Sequence, residues 1–127
     1  MYLAIRSDKP EAEIYLLDNQ GKIVKQKLWD ANRTLARDLP GEIDALVDGD
    51  YGQLAGVIAF RGPGSFTGLR IGVTVANSIA YANGIAIVGC MGDDWLSRGV
   101  EQLSGGTDNQ IVLPEYGAAP HITPARK

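Results

Sequence analysis

A chain of 127 residues with a net charge of −3 and an isoelectric point near 5.0 has room for one domain and one real core. Its Lys and Arg residues are scattered rather than gathered in a stripe, which argues against gripping a nucleic-acid backbone by charge. A single cysteine, Cys90, and a single histidine, His121, exclude an intrachain disulfide, a multi-thiolate metal site and a His-rich metal centre.

The N-terminal MYLAIRSDKP lacks the apolar core and cleavage site of a signal peptide, so the cytoplasm is the expected compartment. Tyr2 to Arg6 reads as a short apolar strand and Glu13 to Leu17 as a second. The Asp18-Asn19-Gln20-Gly21 turn then leads into a third, Lys22 to Leu28, giving an antiparallel meander. Leu35, Leu39, Ile43 and Val47 recur every four residues and mark one apolar helix face. Pro40-Gly41 interrupts that pattern, so the helix is expected to start near Leu39 or to bend there. Gly56 to Phe60 is a continuous apolar run of the kind buried on both faces of a sheet.

Gly62-Pro63-Gly64-Ser65-Phe66-Thr67 then leads into a helix expected over Thr67 to Asn83, and Ile85 to Cys90 is another apolar strand. Asp93 to Leu103 is a short helix capped by Asp93 or Asp94, Ser104 to Gln110 a polar linker and Ile111 to Leu113 a last short strand. No charged residue occurs from Ile71 to Gly92, but Thr74, Asn77, Ser78 and the Asn83-Gly84 stop signal favour two soluble elements over one membrane span. The expected fold is α/β: a mixed five-stranded sheet in the order β-β-β-α-β-α-β, with a short C-terminal helix and an extended tail.

The glycine loop fits no nucleotide signature. It has no lysine where a P-loop needs one, its spacing is a residue too long for a dinucleotide fingerprint, and position 88 is Val where an acid belongs. Ser65 is outside a nucleophile elbow and reads as a helix cap, as does Thr67; His121 reads as a tail residue and Cys90 as a buried thiol. In the helix, Gly68, Gly72, Ala76, Ala80 and Gly84 form a ridge of minimal side chains with an apolar arc about twice the usual stripe. The remaining face holds Arg70, Thr74, Asn77, Ser78 and Tyr81, where a solvated face would carry Lys and Glu. Two coverings are open: a neighbouring helix of the same domain, or a second chain. The second reading makes Gly68, Arg70, Gly72, Thr74, Ala76, Asn77, Ala80 and Tyr81, with Leu35 and Leu39, a partner-binding surface.

The segment GPGSFTGLRIGVTVANSIAYANGIAIVG resembles the signature of the TsaB family over Phe60 to about Gly89, and Pro114-Glu115-Tyr116 is similar to that family's C-terminal P-x-Y pattern. That family is the dimerisation subunit of the bacterial machinery that places threonylcarbamoyl on a tRNA adenosine. The resemblance implies an actin/Hsp70-like (RNase H-like) lobe over residues 1–103, with 104–127 as linker and tail and the family's second lobe absent. It implies docking of the helices Leu35 to Val47 and Thr67 to Asn83 on a catalytic TsaD-type subunit, with TsaE as an ATPase partner. ATP and metal then belong to the partner subunits, none to this chain, and tRNA is met only indirectly. The chain departs from the family in reading Ile5-Arg6-Ser7 where relatives have an acid after the first strand, which weighs against phosphate chemistry. The alternatives are a homodimeric nucleotide-binding half-kinase and, more remotely, a glycoprotease-like peptidase.

Overall fold

The computed structural model describes residues 1–117. His121 and the end of the tail lie outside them. Strands β1 (Tyr2–Arg6), β2 (Glu11–Leu17) and β3 (Ile23–Asp30) form the meander. Asp18 closes the first reversal of direction after β2: its Oδ1 accepts the backbone N–H groups of Gln20 and Lys22, each at 2.9 Å, while Gly21 takes φ +88. A 3₁₀ turn, Asn32–Thr34, leads into helix α1 (Leu35–Leu46). Strand β4 (Gly56–Phe60), helix α2 (Phe66–Asn83), strand β5 (Ala86–Cys90) and helix α3 (Trp95–Ser104) follow. The sheet order is β3-β2-β1-β4-β5, with β1–β2 and β2–β3 antiparallel and β1–β4 and β4–β5 parallel.

Alternation along the strands assigns the layers. Ile5 pairs with Ala59 and faces α2, where a Cβ at Gly72 would lie 3.6 Å from Ile5 Cγ2. Ile14 and Lys27 share that face, and Lys27 Nζ reaches Glu42 on α1 at 3.2 Å. Helices α1 and α2 therefore lie on one side. Ile58 points to the other, into the space left by Gly99 of α3, and Trp95 of α3 packs edge-on against Phe60 and Tyr15. All five residues of β4 are buried, as an apolar run between two helix layers requires.

Two expectations are corrected here. The first helix begins at Leu35, as the range Leu35 to Val47 implied, and not near Leu39, with Pro40 inside it. Pro40 is exposed and on the outer side, so the carbonyl it leaves without a donor, on exposed Ala36, can be met by water. Residues 111–113 do not form a strand. The free edge of β5 is instead met mainly by side chains: Asp108 Oδ1 accepts Ile87 N–H at 3.1 Å, Asn109 Oδ1 accepts Gly89 N–H at 2.9 Å, and Asn109 N–H donates to Ile87 O at 2.8 Å. Asx side chains satisfy the edge that a ladder would otherwise have satisfied.

Candidate partner interface on helix α2

Helix α2 is seated on the sheet by its small residues. Ser7, 2% exposed at the end of β1, donates from Oγ to the carbonyl of Gly68 at 2.7 Å. A Cβ at Gly72 would collide with the Ser7 side chain, one at Gly68 would lie 2.7 Å from the Ser7 carbonyl, and one at Gly64 would strike Asp8. The loop glycines therefore let the helix and the end of β1 approach closely. The atoms nearest Gly64 and Gly68 belong to Asp8 and Ser7, which directly follow the first strand. Ser65 stands at the N-cap but makes no side-chain capping bond, contrary to the expected cap, and Thr67 is an exposed first-turn residue.

This seating turns the small-residue ridge inward. Gly72, Ala76 (0% exposed) and Ala80 (3%) lie against the sheet with Leu69 and Val73, while Leu35 and Leu39 are buried under α1. These positions are corrected from partner contacts to core, for a physical reason: a smooth ridge of glycine and alanine lets a sheet approach as readily as a foreign helix. Gly84 ends the ridge as a left-handed C-cap at φ 63.

The outward side holds Arg70, Thr74, Ser78 and Tyr81, all exposed, with Tyr81 at 91%. Ile71, Val75 and Ile79 flank it half-buried. Arg70 is the only charged residue of α2. The other flank is met by the chain's own C-terminal segment. The Asn77 carboxamide donates to Val112 O and accepts Val112 N–H, both at 2.9 Å, as a neighbouring strand would. Further on, Glu115 N–H donates to Arg61 O at 2.6 Å, Arg61 Nε to Leu113 O at 3.0 Å and Arg70 Nε to the Tyr116 hydroxyl at a long 3.4 Å. The Tyr116 ring tilts against Phe66 at 4.1 Å. Of the outer residues, Asn77 is thus spent within the chain, Arg70 is partly engaged, the Ser78 hydroxyl donates back to the Thr74 carbonyl at 2.9 Å, and the side chains of Thr74 and Tyr81 make no hydrogen bond among the described residues.

Between α2 and the tail opens a groove of about 710 Å³ lined by Asn77, Ser78, Tyr81, Asn109, Gln110 and Ile111, with no charged group. A smaller pocket of about 340 Å³ at the start of α2 is lined by charges of both signs, Asp8, Lys9 and Arg33 among them. Asp8 is held by Arg6 at 2.8 Å; burial works to lower the Arg6 pKa, but Asp8's hydrogen bond and charge raise it overall, so the pair is fixed as an ion pair. Arg6 also lies 3.9 Å from the Phe60 ring centre. Burial pushes the Cys90 thiol up, so it is a poor nucleophile. Among the described residues no three His, Cys, Asp or Glu side chains gather to hold a metal ion, and no helix is long and apolar enough to cross a membrane.

Sequence reasoning missed Ser7, Asp108, Asn109 and Val112. The available signal was Gly89, a glycine in an otherwise apolar strand: a Cβ there would lie 2.7 Å from the Val112 side chain, and strand glycines mark close approach.

Residues 31–92, just under half of the chain, match the family model described as TsaD, tRNA N6-adenosine threonylcarbamoyltransferase. The structure is similar to YeaZ from Pseudomonas aeruginosa, with TM-score 0.64 and 24% identity over 71% of this chain and 43% of that one. It is equally similar to a protein described as uncharacterised and similar to the peptidase YeaZ from Pseudomonas aeruginosa: TM-score 0.64, 24% identity, 71% of this chain and 42% of that one. The chain thus spans about two fifths of the length of these relatives, and the likeness is one of fold. No curated protein matches it.

Proposed function

We propose, from the premise that this is a TsaB-like protein carrying a YeaZ-like lobe and a TsaD-family segment, that it is a non-catalytic scaffold subunit in threonylcarbamoyl transfer to tRNA adenosine. Its partner is a TsaD-type catalytic subunit, which carries the nucleotide, the metal and the tRNA contact. A TsaE-type ATPase joins the same complex, in the cytoplasm. The observation that carries this reading is the outward side of α2, where Thr74, Ser78 and a 91%-exposed Tyr81 stand uncharged beside a neutral groove. Helix faces kept for water carry charge; interface centres lose charge and gain Tyr and Arg. A negative net charge fits a subunit that leaves tRNA to its partner.

The test is size-exclusion chromatography with light scattering on the chain mixed with the TsaD-type subunit of the same genome. A heterodimer is expected. Thr74→Arg, which places a bulky charge on the exposed face without entering the core, is expected to weaken it at least about tenfold while circular dichroism stays unchanged. A chain that remains a homodimer in the presence of that subunit favours the half-kinase alternative instead.

A further inference from the structure

The C-terminal segment is anchored unevenly. Its base is firm: Val112 is 3% exposed, packs against Gly89, and has both backbone groups bound by Asn77. Among the described residues its tip is held by less: a 3.4 Å hydrogen bond from Arg70, a ring contact with Phe66, which remains 55% exposed, and one backbone bond from Glu115. Pro114 separates the two parts, and Gly117, at φ +82, is the last described residue of the tip. Gly62 is shaped for this contact, since any side chain there would strike the Glu115 carbonyl.

We propose that residues 114–117 are a displaceable cover, hinged on the Asn77–Val112 latch, that closes over Phe66 and Arg70 and so competes with the partner for one flank of α2. This rests on the reading of α2 as the docking helix. Closed, the cover occupies Arg70, the only charge on that helix, with a neutral phenol. A partner carboxylate is a stronger acceptor for a guanidinium and displaces the phenol. Binding then selects the open state, and the apparent affinity falls by the fraction of molecules that are open.

The experiment uses the full chain and the TsaD-type subunit. Titration calorimetry compares wild type with Tyr116→Ala, and amide hydrogen exchange follows Val112 and Glu115 in the free and bound states. Tyr116→Ala is expected to bind about three- to tenfold more tightly, the range a ring contact plus a weak hydrogen bond supports. In the wild-type complex Glu115 exchange is expected to rise while Val112 stays protected. Equal or weaker binding by Tyr116→Ala, or Glu115 protection unchanged in the complex, overturns the cover alone. If neither wild type nor Tyr116→Ala binds, the docking reading falls and takes the cover with it.

Discussion

Ser7 and Gly72 meet where β1 ends against α2, and the fit leaves no slack: besides colliding with the Ser7 hydroxyl, a Cβ at position 72 would lie 2.9 Å from Ser7 Cβ, which is fixed to the strand backbone. Gly72→Ala would gain about 1 kcal/mol in helix propensity, yet overpacking of this kind costs about 1–3 kcal/mol. Because the obstructing atom cannot swing away, the cost falls toward the upper end of that range and the expected outcome is a net loss of up to about 2 kcal/mol. In a Ser7→Gly background the same substitution is expected to be neutral or stabilising, and a double-mutant cycle by chemical denaturation reads the difference. Two other residues act through protons. Tyr15 is held above the usual tyrosine range first by burial and then by its 2.6 Å hydrogen bond to the Glu13 carboxylate, and burial likewise raises Cys90. Both keep their protons longer folded than unfolded. Their contribution to stability is therefore complete below the ordinary values of 9.0 and 10.0 and is lost as pH rises beyond them. Thermal melts from neutral pH into this alkaline range are expected to show falling midpoints, with a shallower fall in Tyr15→Phe.

Among the elements, α2 separates two kinds of substitution. Ala76 is fully buried against the sheet, so Ala76→Glu is expected to unfold the chain and says nothing about docking. Thr74→Arg stays outside and reports on the interface. Helix α1 carries the reverse opportunity: Pro40 interrupts its backbone ladder at an exposed position. Pro40→Ala restores the N–H toward Ala36 and is expected to stabilise by about 2 kcal/mol, the propensity gain of about 3 less the entropy of about 0.4–1 returned to the unfolded chain. Denaturant midpoints measure it.

For the whole molecule, the C-terminal segment is what finishes the sheet. Removing residues 107–127 takes away Val112 and the Asp108 and Asn109 side chains, leaving β5 with a bare edge. Loss of one buried aliphatic and several edge hydrogen bonds is expected to cost about 2–4 kcal/mol. An open parallel edge is also expected to self-associate, which light scattering against the full chain would detect. The opposite edge, β3, exposes Ile23, Val24 and Leu28 but carries Lys22, Lys25 and Lys27 beside them, the usual guard against edge pairing.

The meander, the apolar strands Gly56–Phe60 and Ala86–Cys90, and the helices were legible because period, turn residues and burial on both faces leave local marks in the chain. The loop glycines also announced close approach. What they approached was decided only in three dimensions. A ridge of Gly68, Gly72, Ala76 and Ala80 is equally suited to a sheet or to another subunit, and it is Ser7, some sixty positions away in the chain, that draws it inward. The Asn77–Val112 latch is likewise invisible to any local pattern, since a carboxamide reading a distant backbone leaves no periodic trace. Sequence determined which helix face is poor in charge, with Arg70 alone on it; tertiary packing determined how much of that helix remains outside, because the apolar area that the sheet buries is chosen by the fold as a whole.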